Sequence, residues 1–313
     1  MICRPRPISE RDMQAKPQAA AVDPRTRILG AADSLGVLGG NDGTPARMLS
    51  MLCNPNVESR EVSALIKRQP VLCARVLRVA NSPYYGQPRG VKTIERAFFV
   101  LGMDAVRGIA AAACLERTVS VCNGGGLLDM NRLLEHSVAT AVAAESLAKI
   151  LRFGLAPDAF IAGLLHHLGM AVQAAVDPEG MAQMLRVRAA ERERGGGEAC
   201  GIRELEGRHC SVGHELCVME IFGAWQLPDS LVAAAGHHHD PAGAPQRFQE
   251  LAALVDLGAR VAAHTGHDLP LEPPARDAAP SSVFIDLPPV EVQAVIAALP
   301  ERVQCLRAAL GDC

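Results

Sequence analysis

The stretch Phe160-Ile161-Ala162-Gly163-Leu164-Leu165-His166-His167-Leu168-Gly169 decides how this chain is read. Ile161, Leu164, Leu165 and Leu168 recur at the three- and four-residue intervals of a buried helical stripe. The adjacent His166 and His167 flank that stripe, about 100° apart on the helix. Gly163 lets a neighbouring helix approach closely.

Working outward, three more segments bring histidine to an inward face. His136 opens a helix and shares a stripe with Thr140, Ala143 and Leu147. His214 opens another, in line with Val218, Ile221 and Trp225. His237-His238-His239 closes a helix that starts near Pro228, with His238 below Leu231 and His239 below Val232 and Ala235, while His237 falls on the exposed side. One such histidine is more often a hydrogen-bonded core residue than a ligand. Four elements converging is a different matter, because neutral imidazole is the commonest protein ligand for divalent transition metals. His136, His166, His167, His214, His238 and His239 are therefore the candidate metal set, for one divalent transition metal whose identity the sequence leaves open.

The remaining chain reads as short helices punctuated by proline and glycine, with no sustained alternating strand and no internal repeat, so the fold class is all-α. Residues 1–25 read as a flexible tail, 26–123 as a smaller N-terminal helical lobe and 127–265 as a larger one. Residues 266–289 read as an extended linker, pinned by Val283-Phe284-Ile285. Residues 290–313 read as an amphipathic C-terminal helix, or two divided at Pro300. The charged run Arg186 to Arg208 reads as a solvated helix end and loop.

In the first lobe, Pro70 suits the first turn of a helix whose stripe is Leu72, Val76 and Val79. Asn81 can end that helix by tolerating left-handed geometry, and Tyr84-Tyr85-Gly86 reads as a turn. Thr93 is an N-cap, Gly102 a helix-ending glycine, and a helix from Asp104 to about Cys122 follows. That helix–glycine–helix pattern invites a DNA-binding reading, but Val106-Arg107-Gly108-Ile109-Ala110-Ala111-Ala112-Ala113 is too apolar for a major groove.

Composition narrows the function classes. The 313 residues carry a formal net charge of -3 and only 3% aromatics, which argues against a nucleic-acid partner. Ten cysteines occur without a C-x-x-C pair, mostly in apolar runs, as expected of thiols in a reducing compartment. No secretory signal is legible at the N-terminus and the apolar runs are too short for a bilayer, so a cytoplasmic protein without membrane contact is expected.

Taken in order, several landmarks make the chain similar to the HDOD (HD-related output domain) family over roughly residues 40–262. Leu77-Arg78-Val79-Ala80-Asn81-Ser82 resembles that family's LRLANS signature, and Ile94 to Gly102 resembles the helix that follows it. Ala162 to Gly169 resembles its AGLLHDIG segment. Gly213-His214-Glu215-Leu216, Trp225-Gln226-Leu227-Pro228 and His238-His239 supply the remaining landmarks. The resemblance implies an HD-like helical bundle preceded by a smaller helical lobe, and a role in bacterial signal transduction with signalling proteins as partners. It also marks two departures from catalytic HD enzymes. The aspartate of their His-Asp pair is His167 here, and their late aspartate falls at Ala259, with Asp256 one turn earlier. A two-metal phosphodiesterase needs bridging carboxylates. Three readings stay open: a non-catalytic regulatory module working through protein contacts, a metal-dependent phosphohydrolase with an atypical His-rich site, and a ligand or metal sensor. Redox sensing through Cys122 or Cys200 is a weaker fourth.

Overall fold

The computed structural model describes residues 23–38, 45–54, 56–82, 90–122, 126–151, 154–194, 200–272 and 285–310. Most of the N-terminal tail, the Tyr84-Tyr85-Gly86 turn, and Val283 and Phe284 lie outside the described residues. Among the described residues there is no strand, and the all-α expectation holds. The helices are α1 Pro24–Ser34, α2 Pro45–Cys53, α3 Ser59–Lys67, α4 Pro70–Ala80, α5 Ile94–Leu101, α6 Met103–Cys122, α7 Met130–Ile150, α8 Ala156–Leu165, α9 Leu168–Val176, α10 Pro178–Glu193, α11 Ile202–His209, α12 His214–Ala224, α13 Asp229–Gly236, α14 Gln249–His264 and α15 Pro289–Leu310.

Local sequence explains most of the boundaries. Pro24, Pro70, Pro157 and Pro178 each sit in a first helical turn, where a missing N–H costs nothing. Thr93 caps α5 by accepting from the Arg96 N–H at 3.2 Å, and Asp129 caps α7 in the same way. Asn81 ends α4, but with φ -95° and ψ 1° rather than in the left-handed region. Its side chain carries the load instead. Nδ2 donates to the carbonyls of Leu77 and Val91, and Oδ1 accepts from the Val91 N–H at 2.6 Å. The signature asparagine thus staples the end of α4 to the chain leading into α5.

The HD-like lobe is organised on α7, against which α8, α14 and α15 pack, while α12 joins α9 to α13. Two glycines set the closest approaches. A Cβ on Gly163 would lie 3.0 Å from the Ala141 Cα of α7, and one on Gly169 only 2.0 Å from the His214 carbonyl oxygen of α12. The smaller lobe, α2 to α6, joins this body chiefly where α6 meets α8 and α9. Val106, Gly108 to Ala112, Cys114 and Leu115 of α6 are buried, so the helix that a DNA-binding reading would send into a groove lies in the core.

Two expectations about organisation change, and the choice between one helix and two at Pro300 is decided in favour of one. Helix α1 packs on α9 and α12 of the HD-like lobe, not with the first lobe, and Arg25 pairs with Glu220 at 2.9 Å. Its N-cap is Asp23, so the tail is shorter than 25 residues. Helix α15 runs unbroken through Pro300, because Leu299 and Val303 on either side are both buried and hold it against the body. Nor is the charged run simply solvated. Arg188 is 1% exposed, its guanidinium satisfied by the carbonyls of Leu271 and Cys200 and by Glu191. Glu206, in the same run, is also buried.

Candidate metal centre

The helical path is interrupted, without a sharp bend, at the two adjacent histidines. Helix α8 ends at Leu165, His166 and His167 form a turn, and α9 begins at Leu168. Both rings are buried, with centroids 3.8 Å apart. His136 comes from the second turn of α7 rather than its start, because Asp129 caps that helix seven residues earlier. His214 opens α12 as expected, and His238 and His239 follow α13. His237 is half-buried and joins no cluster.

All six predicted ligands come together. The donor atoms of His167, His214, His238 and His239 lie within 4.8 Å of one another, and so do those of His136, His166 and His167. His167 belongs to both sets. The signature residues Asn81, Ser82, Gly102, Trp225 and Pro228 do not join them. Trp225 donates its indole N–H to the Val37 carbonyl at 3.2 Å, and Pro228 leads into α13, so these are framework residues.

Outer partners fix how the rings present themselves. His136 Nδ1 donates to the His267 carbonyl at 2.6 Å, His166 Nδ1 to Gly163 at 2.7 Å, and His238 Nδ1 to Ala235 at 2.7 Å. A carbonyl can only accept, so each of these rings keeps its proton on Nδ1 and turns an Nε2 lone pair inward. His214 Nδ1 donates to Glu206 Oε1 at 2.6 Å, and that carboxylate also accepts from the His214 N–H and from Gln173. This is the carboxylate–histidine arrangement that orients metal ligands.

The interior is short of hydrogen-bond donors. His166 Nε2, both ring nitrogens of His167, His239 Nε2 and Glu272 Oε1 are buried without a hydrogen-bond partner among the described residues. His214 Nε2 and His238 Nε2 face each other at 3.4 Å. Two lone pairs at that separation repel unless a cation, either a proton or a metal, lies between them. Burial pushes His136 down to about 4, and holds His166, His167, His238 and His239 well below the usual imidazole range. Burial opposes charge on His214 as well, but Glu206 outweighs it and raises that ring. The cluster is therefore mostly neutral imidazole, which is the form that binds metal. Imidazole nitrogen with an adjacent carboxyl suits zinc-like divalent transition metals rather than magnesium or calcium, which take oxygen ligands.

Sequence reasoning missed two carboxyls here. Glu206 sits in the run read as solvated. Glu272 sits in the segment read as linker, 3.4 Å from both His167 Nε2 and His239 Nε2, and burial raises its carboxyl to about 7. No periodic pattern marks either one. The Asp256 alternative is not used, because its carboxylate pairs with Arg260 at 2.5 Å and contacts no histidine of the cluster; Glu272, which like Asp256 belongs to neither the four- nor the three-histidine donor set, does face two of those histidines. The thiols offer no reactive centre, since burial raises Cys122 and Cys200 each to about 11. An apolar cleft of about 420 Å³, bordered by Leu35, Leu127, Leu128, Met130 and Ala171, has no histidine in its lining. One stretch, Ala156–Val176, is long and apolar enough to cross a membrane, and 78% of it is buried within the protein around His166 and His167.

Fold and site together define an all-helical protein with a buried cluster of six imidazoles that could hold a metal ion. The chain belongs to the HDOD domain family, which matches residues 43–241. It is similar to an HDOD domain protein of unknown function from Geobacter sulfurreducens, with 21% identity and a TM-score of 0.66, covering 92% of this chain and 98% of that one. A protein from Marinobacter aquaeolei VT8, provisionally named a signal transduction protein, aligns at 22% identity and a TM-score of 0.69, over 92% of this chain and 65% of that one. An uncharacterised protein of Treponema pallidum (strain Nichols) is 24% identical over 215 residues, or 67% of this chain, which spans only 40% of that relative's length.

Proposed function

We propose that this protein is a non-catalytic regulatory module of bacterial signal transduction that acts through contacts with other signalling proteins. In this reading the histidine cluster holds one divalent transition metal as an internal cross-link. Bound by His167, His214, His238 and His239, the metal would tie the α8–α9 turn, α12 and the turn after α13 together. The observation that carries the reading is closure. His166 and His214 are fully buried and His136, His167 and His238 are 1% exposed; His239 alone of the six reaches the surface, at 19%, and its Nε2 is buried. Catalytic metal sites keep an open position and room for substrate, whereas structural sites are closed. Family membership and the provisional name of the Marinobacter protein support the signalling role. The free thiols at Cys53, Cys73, Cys114, Cys122, Cys200, Cys210 and Cys217 support a cytoplasmic setting.

One observation favours the phosphohydrolase alternative: Glu272 places a carboxyl beside the histidines, where the sequence offered none. The deciding experiment combines elemental analysis of untagged protein with hydrolysis assays on nucleotides and cyclic dinucleotides. About one transition metal per chain, lost on His167→Ala, with no hydrolysis, is expected. Metal-dependent turnover abolished by His167→Ala would overturn the non-catalytic reading, and a metal-free protein would overturn the cross-link.

A further inference from the structure

The segment just after α14 is held down with unusual thoroughness for a connection between helices. Residues 266–272 cross from the end of α14 to the histidine cluster, and Leu269 and Leu271 are buried beneath it. Three arginines from two helices secure it. Arg132 of α7 donates to the Asp268 carbonyl at 2.9 Å and to its carboxylate at 2.8 Å. Arg192 of α10 reaches the Asp268 carboxylate and the Leu269 carbonyl, both at 3.1 Å. Arg188, also of α10, donates to the Leu271 carbonyl at 3.0 Å. The His267 carbonyl accepts from His136 itself.

This fastening ends at Glu272, whose carboxyl none of these arginine side chains neutralises. Its Oε1 is buried without a hydrogen-bond partner among the described residues. It faces His167 Nε2 and His239 Nε2, each at 3.4 Å. Both of those nitrogens are also without hydrogen-bond partners. Ligand atoms about 2.0–2.2 Å from a shared tetrahedral ion sit roughly 3.3–3.6 Å from one another. Both Glu272–histidine contacts have that length, as does the His214–His238 separation.

We infer that Glu272 is the carboxylate ligand of this metal centre, and that residues 266–272 form a strap fastened by the bound metal. The inference rests on the reading that the cluster holds a metal. It adds a ligand from beyond Pro241, where the family match ends.

The test uses the full chain, with Co(II) as a spectroscopic probe and Zn(II) as competitor. Glu272→Gln keeps the shape of the side chain but not its charge. The expected result is at least about tenfold weaker Co(II) binding with a shifted visible spectrum. In the wild-type chain, saturation with Zn(II) is expected to slow amide hydrogen exchange across residues 267–272. If the wild-type chain binds Co(II) while Glu272→Gln shows the same affinity and bands, the inference fails and the metal reading survives. If the wild-type chain binds neither ion, both fail. Should the variant not fold, the wild-type exchange decides alone, and no slowing on Zn(II) saturation overturns the inference.

Discussion

Gly169→Ala is a demanding test of the architecture, because the same substitution at Gly207 should have the opposite sign. At Gly169 an added Cβ would sit 2.0 Å from the His214 carbonyl oxygen and 2.9 Å from the Val218 nitrogen. Both are backbone atoms of α12, so a side-chain rotation cannot relieve the clash. Helices α9 and α12 must part by more than an ångström. Overpacking a tight core costs about 1–3 kcal/mol, and a backbone clash belongs at the upper end. Alanine's helix preference over glycine returns at most about 1 kcal/mol, leaving a net loss of about 2 kcal/mol. For a chain of this size that is a fall in Tm of about 3 °C. Gly207, in the middle of α11, has nothing within 4 Å of its added Cβ. There the helix preference acts alone, so Gly207→Ala should gain about 0.5–1 kcal/mol and raise Tm by about 1–2 °C. Calorimetry of both variants beside the wild type reads the contrast directly. A Gly169→Ala protein melting at or above the wild type would refute the α9–α12 contact, and with it the placement of His214 against His167.

Three further predictions address the site and its frame. Glu206→Gln leaves His214 without its carboxylate, so Co(II) affinity should fall about 10–100-fold, measured by competition with a chromophoric chelator; unchanged affinity would remove Glu206 from the ligand-orienting role. Asn81→Ala leaves the Leu77 and Val91 carbonyls and the Val91 N–H without their shared partner, and should cost about 1–2 kcal/mol by urea denaturation, with Asn81→Asp failing to restore it because a carboxylate cannot donate. The Asp268 carboxyl is pulled up by burial but held below its ordinary value by hydrogen bonds from Arg132 and Arg192. Its folded value lies below its unfolded one, so its contribution is complete above about pH 4 and is lost as pH falls through the folded value. The protection of the strap amides, measured relative to their intrinsic exchange rates, should therefore fall below about pH 4 in the wild type, and Asp268→Asn should flatten that dependence.

How much was legible in advance depends on whether a local pattern encodes it. Helical periodicity, proline at helix starts and the Thr93 cap act within a few residues, so the all-α class and most helix boundaries could be read directly. The six histidines were legible too, because each lies in or beside an apolar stripe that must face the core. By composition alone α8 and α9 read as one helix; the interruption at His166-His167 and the close packing of Gly169 against α12 appear only in the structure. Helix α15 similarly passes Pro300 because the surfaces of α7 and α4 hold Leu299 and Val303 on either side, which no propensity records.

The carboxyls mark the sharper limit. Glu206 and Glu272 have no period, and charged residues in a polar run are usually solvated, so sequence reasoning leaves them outside the core. They are drawn in by partners far along the chain: Gln173 and His214 for Glu206, and Arg132, Arg188 and Arg192 along the strap that ends in Glu272. The sequence by itself determined the helical class, the family landmarks and which histidines face the core, since these are written in neighbouring residues. Only the tertiary structure decided that the imidazoles share one buried centre and that a carboxyl returns to it from the supposed linker, because a buried charge is set by what surrounds it in space.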